Sequence, residues 1–531
     1  MGTEEKRKPV RQSKPNQRNS ESQHSRNSHP SAKNYRNSSG GSGNHNHRKH
    51  HKHHSDNKKL SIPGKILAVV ELAVSAIFYG FLWNTGMVPV KYLAVLGIFL
   101  LVLFGVCFGL EFTKKKFCLV IGIVFSIGLS LLFGMGAYYV SQMNSAMEQV
   151  GGATYKTDNM VVVVKKDDKA ETLLDAKEYK FGYQTTADQN NTNLMVQKIN
   201  TVLGNEPAMT EYETMEELAN ALLDGEIEAA IYNEAFNAMV ADSIQDYESK
   251  IRILYQYGID TELEEAEKKS VREPFSVYIS GIDVYGPITT NSRSDVNIIM
   301  TVNPETKQIL LATTPRDYYV EIPGISGGQK DKLTHAGIYG VDKSMDTLEA
   351  LYGIEINYYA RVNFSSLIKI IDVLGGVDVN SEYAFSAGGY SYKQGVNHLN
   401  GQQALAFSRE RHSFASGDNQ RGKNQEAVIT AILQKAMSPA ILTNANSLIA
   451  SVSDSLETNM TKDEISDLIR MQLDDGSAWN IVSVNAVGTG DSQACFSSGR
   501  QLLYVMQPNM VSVSEISTKM NQVINGETVT E

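Results

Sequence analysis

A handful of charged side chains stand where short elements of structure should end, and their types point to phosphate chemistry. Asp283 closes the apolar run Val277–Ile282, and Arg293 and Asp295 open the next one in NSRSDVNIIM. Arg316 and Asp317 follow a further run in TTPRDYY. Arg409 and Arg411 alternate in SRERH, which puts both on one face if that segment is extended. Asp418 reads as the cap of a helix that carries Arg421 in its first turn and Gln425 one turn later. The N–H groups at such a helix start favour an anion. Guanidinium forks match phosphate oxygens in pairs and stay charged at any biological pH. Carboxylates beside such a ligand repel it unless a hard divalent cation bridges them. Magnesium takes one or two carboxylates and fills its shell with phosphate oxygens and water. Any one of these arginines alone reads more readily as a surface ion-pair partner. The whole set reads as a pyrophosphate cradle.

The elements that must position this set come next. Val296–Val302 and Gln308–Thr313 read as strands joined by the turn Asn303–Lys307. Leu348–Leu351, Phe364–Leu374 and Gly422–Ala436 read as helices, the last with apolar residues at 428, 429, 432 and 433. Ile481–Val487 is placed to return to the same sheet. Strands and helices mix without strict alternation, so an α/β fold of the α+β sandwich kind is expected. Upstream, residues 151–260 alternate strand-like and helix-like runs: Met160–Val164, Lys180–Tyr183, Asn193–Leu203, Met215–Leu223 and Ala229–Tyr232. This is a smaller α/β unit, joined to the next by the charged stretch Glu262–Lys269. Its LANALLDGEIEAAIYNEA is similar to one lobe of the periplasmic solute-binding proteins, which implies a scaffold or docking role as readily as capture.

At 531 residues the chain is too long for one ordinary domain. Its net charge of −10 conceals a basic arm: residues 1–62 hold 14 Lys+Arg against 4 Asp+Glu. With almost no apolar residues, that arm is expected to be disordered. The tract His45–His54 lacks acidic or cysteine partners, so it reads as part of a solvated arm against anionic lipid rather than as a metal site. Three apolar runs follow, Ile66–Trp83, Tyr92–Leu110 and Phe117–Val140, each about long enough to cross a bilayer as a helix. Glu71 interrupts the first run, and snorkelling, pairing between helices or protonation would each accommodate it. The basic arm and Lys114–Lys116 share a side, which places the N-terminus in the cytoplasm and everything after Val140 outside. Cys107, Cys118 and Cys495 offer neither an internal disulfide in the outer part nor metal-ligand spacing. An exported chain without disulfides suits a Gram-positive surface.

Six blocks then carry a family likeness. GIDVYGPITTNSRSD, TTPRDYYVEIPG, DKLTHAGIYG, YYARVNFSSLIKIIDVLGGVDV, HLNGQQALAFSRERH and GDNQRGKNQ resemble, in order, the successive blocks of the LytR-CpsA-Psr family over roughly residues 275–440. The KLTHAGIYG block and the additional exported domain are most similar to its capsule-associated branch. The resemblance implies an enzyme that joins a glycopolymer, carried on polyprenyl pyrophosphate, to a peptidoglycan hydroxyl, with magnesium as cofactor and manganese as a possible substitute. It also implies an apolar groove for the membrane lipid, lined by Val428–Leu433 and Phe364–Leu374, and no nucleic-acid partner. Asp283 and Asp295 match the metal-associated aspartates, and Arg293, Arg316, Arg409, Arg411, Arg421 and Gln425 match the residues around the pyrophosphate. Arg293 is expected to act in catalysis as well as binding. Asp418 matches the family's acidic position and is the candidate general base, with Asp317 as the runner-up. The expected organisation is a cytoplasmic arm (1–62), three transmembrane helices (63–140), an extracellular accessory domain (141–262) and a catalytic domain (270–531). Two other readings stay open: a non-catalytic sensor of lipid-linked polymer, and a pyrophosphate hydrolase.

Overall fold

The computed structural model describes residues 52–150, 152, 155–262, 270–282, 291–415, 417–438 and 456–530. Asp283, most of the histidine tract and the linker after Glu262 lie outside the described residues.

Three helices open the described chain: Lys52–Asn84, Val90–Leu110 and Lys116–Val150. Within them, spans of 25, 21 and 32 residues are long and apolar enough to cross a membrane. The shortest rises about 31 Å at 1.5 Å per residue, which matches a hydrocarbon core of about 30 Å. The first helix begins at Lys52, so the stretch expected to be structureless up to residue 62 is helical over its last residues. Phe99, Leu101, Val124 and Leu131 are exposed on these helices, a surface suited to lipid. Glu71 is the reverse case: it is fully buried and accepts a hydrogen bond from Ser75 Oγ (3.4 Å).

The accessory unit is a five-stranded mixed sheet, ordered Ala208–Tyr212, Lys180–Gln184, Ala229–Asn233, Tyr155–Lys165, Ile251–Glu262. The first three run parallel to one another, and Tyr155–Lys165 is antiparallel to both of its neighbours. Its alternate residues feed two cores. Met160, Val162 and Val164 pack with Met195 and Ile199 of the helix Gln189–Leu203. Val161 and Val163 pack with Leu218 and Leu222 of the helix Met215–Asp224. The period of two along a strand sends neighbours to opposite faces, and here both faces are covered. Ile338 of the next domain joins the second core, and its neighbour Tyr339 meets the Phe236 ring edge-on at 6.0 Å.

The C-terminal domain is a three-layer sandwich. Its six-stranded sheet is ordered Leu456–Thr458, Tyr358–Asn363, Phe275–Ile282, Ser294–Asn303, Gln308–Thr313, Asn480–Asn485. The last of these is the strand expected to return to the sheet, and it runs parallel to Gln308–Thr313. Tyr278, Ile299, Leu310 and Ala312 face the helices Val341–Tyr352 and Met510–Ile524. Val277, Ile298, Ile309 and Leu311 face the helices Asp418–Ala436 and Lys462–Asp475. On that second side lie two further helices, Phe364–Val373 and Gly401–Arg409, each opened by an asparagine capping box. They approach so closely that a Cβ at Gly401 would sit 2.4 Å from the Ile368 carbonyl oxygen, so only glycine fits there. The cap of Asp418–Ala436 departs from expectation. Gly417, at φ 51°, is the N-cap and Asp418 is the first helical residue. A left-handed turn into the helix favours glycine, which displaces Asp418 by one position.

The sheet-facing side of Asp418–Ala436 buries a carboxyl. Glu426 is 2 % exposed and accepts from Asn485 Nδ2 at 2.9 Å. Burial pushes its carboxyl up to about 8, against the hydrogen bonds from Thr313 and Asn485. In the unfolded chain the proton leaves near 4.5, so the folded form holds it longer. The native state therefore binds more protons between those values, and stability falls as pH rises through that window. The slope from this group is about 1.4 kcal/mol per pH unit at most. Wild-type protein should lose thermal stability between pH 5 and pH 8, and Glu426→Gln should flatten that decline. Parallel midpoint-against-pH curves for the two proteins would show that Glu426 ionises as it does in water.

Candidate active site

A cavity of about 890 Å³ lies between the sheet and the helices Phe364–Val373, Gly401–Arg409 and Asp418–Ala436. Its lining changes character along the helix Asp418–Ala436. Arg421 and Gln425 line it first, then Val428, Ile429, Ile432 and Leu433. These positions share one helical face, and the change from charge to hydrocarbon runs over about 18 Å. The strand Phe275–Ile282 repeats the gradient. Val277 and Ile279 line the apolar part, and Ile282 ends beside the strand that carries Asp295. Leu367 and Ile370 of Phe364–Val373 complete the apolar wall.

Asp295 reaches the cavity through an irregularity in the sheet. Gly281 pairs with Val296 and Ile282 with Ser294, so Asp295 is the extra residue of a β-bulge. Both Asp295 and Val296 line the cavity, which a regular strand forbids to successive residues. The bulge needs close strands: a Cβ at Gly281 would sit 2.6 Å from Val296 Cγ2. Asp295 Oδ1 takes Arg316 Nη1 at 2.8 Å and the Thr334 hydroxyl at 3.3 Å. Its side chain is only 15 % exposed. Burial pushes its carboxyl up, but the charges of Arg316, Arg293 and Arg421 and the Arg316 hydrogen bond outweigh that and hold it below the usual carboxylate range. Its charged form is thus favoured more than that of a free aspartate.

The expected residues divide as follows. Asp295, Arg316, Arg409, Arg411, Arg421 and Gln425 all line the one cavity. Arg293 does not line it, although its charge acts on Asp295. Asp283 follows Ile282 outside the described residues, and the side chain of Asp418 is likewise outside them. Asp317 is directed elsewhere: it is paired with Arg316 Nε (3.6 Å) and Lys332 Nζ (3.4 Å) and does not line the cavity. Arg409 and Arg411 reach the same wall without the extended segment that alternation suggested. Arg409 ends a helix, and Glu410 after it is extended.

Three features escape a reading of spacing. The guanidinium of Arg409 lies 4.2 Å from the centre of the Phe364 ring, an attraction that fixes its direction. Glu410 and His412 also line the cavity. Burial pushes the Glu410 carboxyl up, but hydrogen bonds from Ser413 and the nearby His412 hold it below the usual range. The alternation of acid and base in SRERH is the only sequence signal for that pair.

The donor chemistry fits a hard divalent cation. Among the described residues no group of three His, Cys, Asp or Glu converges. A single ionised aspartate on a fixed bulge is the kind of ligand that magnesium uses beside phosphate oxygens. Asp295, with Asp283 one residue past the paired strand end, would hold it.

Comparison with known proteins follows the same region. The LytR_cpsA_psr family model matches residues 242–520. The chain is 38 % identical over 225 residues to the polyisoprenyl-teichoic acid–peptidoglycan teichoic acid transferase TagU of Enterococcus faecalis, covering 42 % of this chain and 73 % of that one. It is 37 % identical over 205 residues to the TagU of Bacillus mycoides, covering 38 % and 66 %. Among solved structures, B. subtilis TagU is 31 % identical with a TM-score of 0.39, covering 48 % of this chain and 99 % of that one. TagT bound to LI-WTA is 26 % identical with a TM-score of 0.39, covering 50 % and 96 %. With the family model spanning more than half of its 531 residues, the chain belongs to the LytR_cpsA_psr family.

Proposed function

We propose that this protein transfers a glycopolymer from a polyprenyl pyrophosphate carrier to a hydroxyl of peptidoglycan. The observation that carries the reading is the single cavity whose lining passes from guanidinium groups and an ionised aspartate to hydrocarbon. A pyrophosphate lipid has the same polarity, and the curated relatives are named as transferases to peptidoglycan. The finer assignment to a capsular polymer rests on the KLTHAGIYG block and the accessory domain.

In this mechanism the acceptor oxygen attacks the phosphorus that bears the glycan, and the bond to polyprenyl phosphate breaks. Arg316, Arg409, Arg411 and Arg421 hold the pyrophosphate oxygens and neutralise the charge that grows on the leaving phosphate. Gln425 adds a neutral donor one turn beyond Arg421. Bound magnesium, or manganese in its place, would supply further charge neutralisation at the same oxygens. The apolar wall holds the lipid and keeps water from its side of the reacting centre. The acceptor's proton needs a base, for which Asp418 is the family position and Glu410 is a second carboxylate on the cavity wall, apart from Asp295.

The membrane spans and the basic residues around them support an outward-facing catalytic domain on a cytoplasmic N-terminus. Protease added to intact, wall-stripped cells should remove the large domain and spare the N-terminal arm. Loss of the arm alone would reverse the orientation.

Transfer is measured with the full chain in detergent, lipid-linked donor, and peptidoglycan fragments present or withheld. Product should form only with the acceptor. Equal release without it would mean hydrolysis, and no turnover with bound donor would mean a sensor. Arg409→Lys and Arg411→Lys should each slow transfer, because an ammonium lacks the paired donors of the fork. The cost is on the order of 2–4 kcal/mol, or roughly 30- to 1000-fold in rate. Arg470, which pairs with Asp467 away from the cavity, is the control, and its Lys variant should match wild type. Full activity in both cavity variants would remove the arginines from the reaction.

A further inference from the structure

The segment that presents Thr334 to Asp295 also carries a buried polar cluster that lines no part of the cavity. Asp331 and His335 are both fully buried, and His335 Nδ1 is 2.7 Å from Asp331 Oδ1. Ser497 closes the group. Its hydroxyl is 3.0 Å from both Asp331 Oδ1 and His335 Nδ1, and its backbone N–H donates to Asp331 Oδ2 at 2.9 Å. Burial pushes the Asp331 carboxyl up, but the charge of His335 and the hydrogen bonds from His335, Ser497 and the Lys332 N–H hold it below the usual range.

The residues between Asp331 and His335 are the ones that touch the catalytic groups. Lys332 Nζ lies 3.4 Å from Asp317 Oδ1, and Asp317 Oδ2 is 3.6 Å from Arg316 Nε. Leu333 N–H donates to the Tyr318 carbonyl and Thr334 N–H to the Arg316 carbonyl, each at 2.8 Å. The Thr334 hydroxyl donates to Asp295 Oδ1, the same atom that takes Arg316 Nη1. Asp331 and His335 therefore bracket this stretch, and their contact fixes the turn between them.

Packing alone does not explain the imidazole. His335 Nε2 is buried and has no hydrogen-bond partner. Such an orphan costs stability that an apolar side chain of similar size would avoid. What the imidazole supplies instead is a directed bond to Asp331, one residue away from Thr334. The accessory domain meets the same group. The turn Phe496–Ser498 touches the helix Met215–Asp224, and the Ser243 hydroxyl donates to Gln501 Oε1.

We propose that His335 is a positioning residue for the transfer reaction. Seated on Asp331 and Ser497, it sets the turn from which Thr334 aligns Asp295 with Arg316. This role rests on the transferase reading of the cavity, and it gives the accessory domain a part in catalysis as the backing of the turn that carries Ser497.

The test is a double-variant cycle on the full chain in detergent, read both as transfer rate and as affinity for geranylgeranyl pyrophosphate. Thr334→Val and His335→Leu should each slow transfer about tenfold or more and weaken lipid binding. The double variant should be no worse than the worse single one, because both changes act through one hydroxyl. His335→Asn, whose amide nitrogen can stand where Nδ1 does, should restore transfer close to the wild-type rate. Should His335→Leu fail to fold, Asp331→Asn replaces it in the cycle, since it weakens the same contact and keeps the shape. Losses that multiply in the double variant would overturn the assignment, because His335 then supports the fold and not Thr334. So would wild-type turnover in His335→Leu, or a His335→Asn variant as slow as His335→Leu. Wild-type protein that binds the lipid but transfers nothing would remove the transferase reading instead. The cycle is then decided on affinity, where unchanged binding in both single variants overturns the role of His335.

Discussion

Asp295 keeps a negative charge in a place where water reaches little of it, and it does so because guanidinium groups surround it. Burial works against that charge, and Arg316 at 2.8 Å, with the charges of Arg293 and Arg421, outweighs it. Without Asp295, several arginines would face one another across a shared space. The pair is therefore mutual, and the local fold serves it. A bulge turns Asp295 inward, Gly281 allows the strands to close on that bulge, and Thr334 donates to the carboxylate while its backbone N–H holds the Arg316 carbonyl at 2.8 Å.

The rest of the cavity is built from elements that carry both ends of an amphiphile. The helix Asp418–Ala436 is polar where it starts and apolar where it continues, on one face. The flank of that stripe is fixed to the sheet through Glu426 and Asn485. The close seat of Gly401 against Ile368 brings Arg409 to the ring of Phe364, so one aromatic side chain at the start of the apolar wall also aims a cation. Such a cavity discriminates twice. Each methylene moved from water to the apolar wall contributes about 0.8 kcal/mol, whereas the arginines act on the charge that changes during transfer. Affinity for the carrier and acceleration of the reaction thus reside on different parts of the same groove.

Much of this was legible in the sequence, and the parts that were not share a physical cause. The stripe Arg421, Gln425, Val428, Ile429, Ile432 and Leu433 follows from helical period alone, and so does its placement on one wall. The strand Asn480–Asn485 was visible as an apolar run. The bulge at Asp295 was not, because register belongs to the partner strand and not to the residue. Arg409 over Phe364 depends on the packing of two helices distant in sequence, which spacing does not record. Asp418 looked like a cap because its side chain suits one, yet Gly417 holds that position through a backbone turn that favours glycine. Glu426 hides in a polar stretch, and only the tertiary fold reveals that it is buried.

The central claim is that one groove holds the pyrophosphate and the lipid of the same molecule. A polyprenyl pyrophosphate donor with a photoreactive group on its lipid tests this directly, by cross-linking to the full chain and mapping the labelled peptides. Label on the segments that contain Val428–Leu433 and Leu367–Ile370, competed away by unmodified donor, is the result expected from this structure. Label confined to the three membrane helices or to the accessory domain, with the groove helices unmarked under turnover conditions, would contradict it.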